Sequence, residues 1–309
     1  MANLGYIQVT RVCNQQCLFC SNPENQRTLS VEDAHAALRQ LLEDGFDGVI
    51  LTGGEPTLHP ELDRIVGLAR REGIQIRMIT NGQRTAEAGV LAGLAAAGLQ
   101  HLHLSVHSSR PEVQAQLTGN PDSWDRLVET LEEAARLGLH CDINTVICAQ
   151  NADHLDETVA TILERFGFVR HFVWNNIDPK MNRVAEHPET VARLADLELS
   201  LHRAVGLLLQ TGRTFRIERL PLCYMAEVAW ASTETRKIVK GEQRRVHFLD
   251  DKGEVNQTRF YHDKAEACRQ CRLDRICAGL YDAGGAYDPA ELHALFVDPD
   301  QIVAAILKE

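Results

Sequence analysis

Thr10-Arg11-Val12-Cys13-Asn14-Gln15-Gln16-Cys17-Leu18-Phe19-Cys20 begins inside a short apolar run, residues 6–12, that reads as a strand. It places three cysteines at C-x3-C-x2-C spacing in one compact loop. Thiolate is a soft ligand suited to iron–sulfur clusters, and such a loop can bring three sulfurs to one cubane while leaving one iron open. The alternative is three legs of a structural zinc site, although zinc ligands usually come as pairs separated by a longer gap.

The remaining cysteines follow the same logic. Nine is an odd number, and six of the nine cluster at 13, 17, 20 and at 268, 271, 277, with Cys141, Cys148 and Cys223 apart. That pattern favours metal or cluster ligation over disulfides. Lys and Arg total 32 against 43 Asp and Glu, a net charge of -11, which supplies no general field for a polyanion and argues against a nucleic-acid partner. There is no run of about 18 apolar residues and no signal-peptide pattern, so no membrane partner is expected and the location expected is cytoplasmic. A length of 309 residues with 44% hydrophobic residues suits one large domain plus a smaller appendage, drawn at 1–210 and 211–309.

Up to about residue 175, apolar runs at 6–12, 48–52, 74–80, 101–107, 141–147 and 169–174 alternate with amphipathic segments near 31–44, 60–72, 85–98, 123–137 and 153–166. Ser30 with Asp33 reads as a helix N-cap, and Gly45, Gly73, Gly98 and Gly138 read as stops. Repeated strand–helix units imply parallel strands with right-handed crossovers. Six such units predict an open α/β fold, a partial (β/α)6 TIM-like barrel, with reactive groups at the carboxyl ends of the strands.

Those ends carry the motifs. Leu51-Thr52-Gly53-Gly54-Glu55-Pro56 closes the second run; the glycines remove side chains where backbone must approach a ligand, and Glu55 can accept from an ammonium group. Thr80-Asn81-Gly82 ends the third, where Asn81 reads either as a turn residue or as a cofactor contact. In the fourth, His101, His103, Ser105 and His107 share a polar face opposite Leu102, Leu104 and Val106. Together, C-x3-C-x2-C with Phe19 before its last cysteine and Gly-Gly-Glu-Pro one unit later resemble the radical S-adenosylmethionine (SAM) superfamily.

The resemblance implies a 4Fe–4S cluster on Cys13, Cys17 and Cys20 whose open iron is chelated by SAM, and reductive cleavage of SAM to a 5'-deoxyadenosyl radical. It further implies that Phe19, Gly53, Gly54, Glu55, Asn81, Ser105, Asn144 and Trp174 surround the cofactor, the last through backbone at 174–176 that meets adenine. His107 is expected as a catalytic or substrate contact. Cys148 reads either as a buried inert thiol or as a hydrogen-atom donor at the rim.

Beyond a long helix near 189–209, a strand at 215–220 leads to Cys223 and a hairpin at 245–249 and 254–260 surrounds Asp250-Asp251-Lys252-Gly253. Cys268, Cys271 and Cys277 then follow at C-x2-C-x5-C, with Tyr281 where a further cysteine usually stands. This resembles the twitch and SPASM extensions, and implies a small C-terminal α+β domain with a second, auxiliary 4Fe–4S cluster completed by Cys223. A structural zinc on the same four cysteines, or a free thiol at Cys223, are the alternatives. Only twelve residues precede Cys13, so no fused leader-recognition domain is expected there. The expected function is radical modification of a ribosomally made peptide; oxidation or synthesis of a small molecule such as a sugar or antibiotic precursor is second, and a non-catalytic electron carrier third. An external reductant such as flavodoxin or ferredoxin is the expected electron source.

Overall fold

The computed structural model describes residues 4–21, 26–180, 182–249 and 252–308, so Asp250 and Asp251 of the expected hairpin turn lie outside the described residues. Its centre is one nine-stranded sheet in the order β7-β6-β5-β4-β3-β2-β1-β8-β9. The strands are β1 Leu4–Thr10, β2 Gly48–Gly53, β3 Gln75–Thr80, β4 His101–Ser105, β5 His140–Ile147, β6 His171–Asn176, β7 Thr214–Glu218, β8 Arg244–His247 and β9 Glu254–Gln257. The first seven run parallel, β8 lies parallel to β1, and β9 turns back antiparallel on β8.

Helices α1 Val31–Glu43, α2 Leu62–Arg71, α3 Val90–Ala97, α4 Pro111–Thr118, α5 Ser123–Leu137, α6 Leu155–Arg165, α7 Asn182–Glu186 and α8 Leu194–Gln210 occupy the crossovers, followed by α9 Thr233–Lys240 and α10 Pro299–Lys308. The Ser30 hydroxyl accepts from the Asp33 N–H at the start of α1. The short α4 was not foreseen; Pro111 at its first turn and the left-handed Gly119 at its end are the local signals for it.

Period-two alternation sets the two faces of the sheet. Leu102, Leu104, Ile143, Phe172 and Phe215 are buried toward the helices. His101, His103, Ser105 and Asn144 alternate with them on the other face. The sheet curls far enough for its flanks to meet: Arg244 of β8 lies 3.8 Å from the Glu218 carboxylate of β7 and 4.6 Å over the Tyr6 ring of β1. An ion pair thus bridges the seam that a closed barrel would fill with backbone hydrogen bonds.

The sheet continues across the expected boundary at 210/211. α8 is a sixth crossover, with Leu194, Leu197, Leu201, Ala204 and Leu208 buried, and β7 pairs with β6 through Trp174↔Ile217 and Asn175↔Glu218. Residues 215–220 therefore extend the barrel instead of opening a separate unit. No helix among the described residues is long and apolar enough to cross a membrane.

Buried histidines on the inner wall couple this fold to pH. Burial lowers His103 and His107 from 6.5 to about 3, so each is neutral when folded and protonated when unfolded between those limits. A depressed histidine stabilises the fold above the unfolded value, and that contribution is lost as pH falls toward the folded one. Chemical unfolding at pH 5 and pH 7 should show His103→Gln losing less stability on acidification than wild type, by about 2 kcal/mol over the two units.

Candidate functional site

The cysteine loop is fastened on three sides. Thr10 turns the chain out of β1, its hydroxyl accepting from the Val12 N–H at 3.2 Å. The N–H groups of Gln16 and Leu18 donate to the last carbonyls of α4, Thr118 at 2.9 Å and Leu117 at 3.0 Å. Gln15 Nε2 donates to Ser123 Oγ, which also receives Gln114 Nε2, both at 3.1 Å. Gln114 Oε1 in turn accepts from the N–H groups of His107 and Ser108 at the end of β4. Gln15 and Gln114 were missed from sequence; the only hint was a polar pair inside the cysteine spacing.

The thiols have the properties that a metal cluster requires. Cys13 is exposed and Cys17 and Cys20 are partly buried, with no disulfide among them. Burial, then the neighbouring Cys20 and Cys13, push the Cys17 thiol far up, and burial also raises Cys13 against N–H groups of Gln15 and Asn14 that pull it down. Sulfurs so placed become thiolates only when a bound cation supplies the opposing charge. Among the described residues, the ligand atoms of His101, His103 and Asp142 lie within 4.8 Å of one another. The three cysteines instead put soft sulfur donors in one loop, the ligand type that iron–sulfur clusters take. The donor set fits a cluster.

Beside the loop, β2 and β3 end in the Gly-Gly-Glu and Asn-Gly turns. The glycines admit a close backbone neighbour. A β-carbon on Gly53, at φ 139°, would strike Thr10 O, and one on Gly54 would strike the carbonyls of Val12 and Arg11. Close approach of β1 backbone is what excludes side chains here, and it is sealed by Gly54 N→Thr10 O at 2.7 Å and Glu55 N→Val12 O at 2.8 Å. Glu55 is buried; its Oε1 accepts from Thr57 N, Thr57 Oγ1 and Thr80 Oγ1, and its Oε2 from Asn81 N at 2.7 Å. Burial raises its pKa despite these bonds. A carboxylate offers about four acceptor positions, two on each oxygen, so Oε2 keeps one. Asn81 Nδ2 donates to Asn14 Oδ1 at 2.8 Å and stands 3.9 Å from Cys13 Sγ.

On the opposite wall, Ser105 and Asn144 are paired in register and half-buried, and Asn144 Oδ1 accepts from Asn175 Nδ2 at 2.6 Å. The Phe19 ring meets His107 edge-on, with centroids 4.6 Å apart. Three of the expected residues sit as follows. His107 is buried and neutral, and its Nδ1 accepts from the Val146 N–H, so it supports Phe19 and is not a solvent-facing acid or base. Cys148 is fully buried with Leu117, Ile177 and Val184 beneath Phe19, and burial drives its thiol well up, which removes it from the rim. The Trp174 ring packs outward against Phe215, leaving only its backbone toward the interior.

A second set of cysteines gathers at the carboxyl end of β7. Cys223, Cys268, Cys271 and Cys277 line one small cavity with Pro221, Leu222, Leu292 and His293. Backbone N–H groups point at the sulfurs: Leu295 to Cys271 and Gly279 to Cys277, both at 3.4 Å. Burial and then the nearby Cys277 and Cys268 push Cys223 up to about 12.

An open parallel barrel with a three-cysteine loop at its catalytic end defines an iron–sulfur enzyme of the partial-barrel class. This chain belongs to the radical SAM superfamily, whose profile matches residues 7–162. It is 32% identical over 149 residues to a GTP 3',8-cyclase of Nautilia profundicola, covering 46% of this chain and 46% of that protein. It is 33% identical over 162 residues to the PqqA peptide cyclase of Xanthomonas axonopodis, covering 51% and 43% respectively. The chain thus spans about half the length of the curated relatives it matches. Its fold is similar to that of anSMEcpe with bound AdoMet and Cp18Cys peptide, at TM-score 0.64 and 16% identity over 99% of this chain and 95% of that one. Membership brings a 4Fe–4S cluster and SAM as cofactors.

The packing at Gly54 gives a test. Gly54→Ala must displace the cysteine loop, and should cost more than about 3 kcal/mol in urea unfolding while lowering iron bound per chain. Gly93→Ala on α3, where an added β-carbon meets nothing within 4 Å, should leave bound iron unchanged and raise stability by up to about 1 kcal/mol.

Proposed function

We propose that this chain modifies a peptide by radical chemistry, using one auxiliary 4Fe–4S cluster held by Cys223, Cys268, Cys271 and Cys277. The carrying observation is the four-cysteine cavity at the end of β7, at the same end of the parallel sheet as the three-cysteine loop. Its four sulfurs offer a complete ligand set, and backbone donors to sulfur are a recognised means of tuning a cluster's potential. Residues 211–309 then serve as the auxiliary-cluster region, although they share the barrel's sheet.

When bound, the first cluster and SAM supply a reducing electron and a carbon-centred oxidant that removes a substrate hydrogen atom. The chain's own residues do the positioning. Cys13, Cys17 and Cys20 leave one ligand position free, and Glu55 Oε2 offers its remaining acceptor position to an ammonium group. Asn81 flanks the cluster loop, Ser105, Asn144 and the backbone at 174–176 offer polar contacts along the wall, and Phe19 closes the wall from below. Gly53 and Gly54 bring the rim close enough for these contacts. An external reductant such as flavodoxin or ferredoxin supplies the electron.

A peptide substrate is supported by near full-length likeness to a neighbour solved with a bound peptide. The similarity to GTP 3',8-cyclases favours a second reading, in which the substrate is a small molecule.

Anaerobically reconstituted protein given SAM and dithionite should form 5'-deoxyadenosine, and Cys17→Ala should form none. The Cys268→Ala/Cys271→Ala pair should bind about half the iron, still cleave SAM and yield no modified peptide. Absence of 5'-deoxyadenosine from iron-replete wild type refutes the radical reading, and full product from the pair refutes the auxiliary cluster.

A further inference from the structure

Two non-glycine residues among the described residues have left-handed backbone, Arg219 at φ 62° and Asp282 at φ 55°. They lie at the same place. Arg219 directly follows β7, ahead of Cys223, and its guanidinium sits 5.7 Å over the ring of Tyr281, the residue before Asp282. Strained backbone persists where surroundings over-determine it, and it gathers at sites with work to do. Both backbone groups of Arg219 are held: its N–H donates to Glu234 Oε2 at 3.0 Å and its carbonyl accepts from Asn176 Nδ2 at 3.3 Å. Glu218 ends the strand facing inward, so the left-handed turn re-aims the next side chain onto Tyr281.

The side chains around this turn are short of partners. In a chain of net charge -11, the Arg219 guanidinium makes no ion pair among the described residues. His262 stacks on Tyr281 with centroids 3.5 Å apart, and its buried Nε2 has no hydrogen-bond partner. Of the nearby acids, Asp282 pairs with Lys180 at 2.9 Å, Asp178 Oδ1 accepts from the Lys180 N–H, and the buried Glu234 holds the Arg219 N–H. The patch also touches the first site's support. The Tyr287 hydroxyl shares its one proton between Asn176 Oδ1 at 3.1 Å and Ile177 O at 3.0 Å, and Ile177 packs with Cys148 and Phe19 of the three-cysteine loop.

We propose that Arg219, with Tyr281 and His262 beside it, receives a carboxylate of the substrate, either an acidic side chain or the C-terminus of a peptide, and orients it across the barrel mouth between the two cysteine sites. This rests on the peptide reading above. A guanidinium offers a planar fork of donors that matches one carboxylate. Asp178 and Asp282 in the same patch disfavour the several charges of a nucleotide triphosphate.

The test is a pooled library of synthetic decapeptides, half amidated and half with free C-termini, equilibrated with reconstituted wild type, Arg219→Gly and Arg219→Lys, with bound peptides read by mass spectrometry. Glycine relieves the backbone at φ 62°, and unchanged iron content verifies folding. Wild type should enrich peptides carrying Asp or Glu, or a free C-terminus, at least tenfold. Arg219→Gly should lose that enrichment, Arg219→Lys should retain part of it, and in wild type it should weaken with added salt. The amidated arm tells side chain from terminus. Equal enrichment in wild type and Arg219→Gly, no acidic enrichment in wild type, or displacement of bound peptides by GTP overturns the proposal. 5'-Deoxyadenosine assayed on the same wild-type protein separates the two claims: formed without acidic enrichment, it leaves the radical reading standing and this site refuted.

Discussion

A buried carboxylate organises the catalytic end of this barrel. Glu55 joins the ends of β2 and β3 through four hydrogen bonds, while its own N–H and that of Gly54 hold the end of β1. Burying a carboxylate costs several kcal/mol unless its oxygens are matched, and here the matching groups all belong to the rim. Removing the acid would therefore leave Thr57, Thr80 and the Asn81 N–H without a partner, and the rim would lose its shape along with a charge. The net pKa still rises, so burial outweighs the four bonds. A carboxylate in that condition is one that a cation set beside it would stabilise further.

The inner wall obeys the same rule in a different way. Asp142 lies 2.8 Å from His101 Nε2 and 3.4 Å from His103 Nδ1, and this cluster holds the lower part of the barrel open with polar side chains where a closed barrel would be filled by branched apolar ones. The Coulombic attraction of Asp142 raises His103, but desolvation is larger and keeps it neutral. A neutral His103 beside that carboxylate keeps the wall polar. Charge selection then falls to the mouth.

Much of this was legible in the chain. Period-two alternation at 101–107 and the stops at Gly98 and Gly138 identify strands and helices because local sterics dictate them, and the cysteine spacing identifies the metal loop because ligand geometry does. Less legible were contacts between residues far apart in sequence. Nothing near Gly53 or Gly54 says that the backbone they admit is that of β1, and nothing near Tyr287 names Asn176 as its partner. The surroundings of His107 and Cys148 are of the same kind: alternation predicts which face a side chain leaves from, but Phe19, arriving from the cysteine loop, covers His107 and helps to cover Cys148.

The seventh strand has the largest consequence. In an all-parallel sheet, every loop that follows a strand emerges at the same end, so adding β7 to β6 sends Cys223 to the end that already carries Cys13. Had 215–220 opened a separate domain, the distance between the two cysteine sets would depend on a linker. As part of the sheet it is set by backbone hydrogen bonds and by the Glu218–Arg244 pair that draws the two flanks together. The left-handed turn at Arg219 falls between that pair and Cys223, where the barrel wall gives way to the second cavity. A shift in the seam would therefore be felt at both cysteine sites and at the arginine between them.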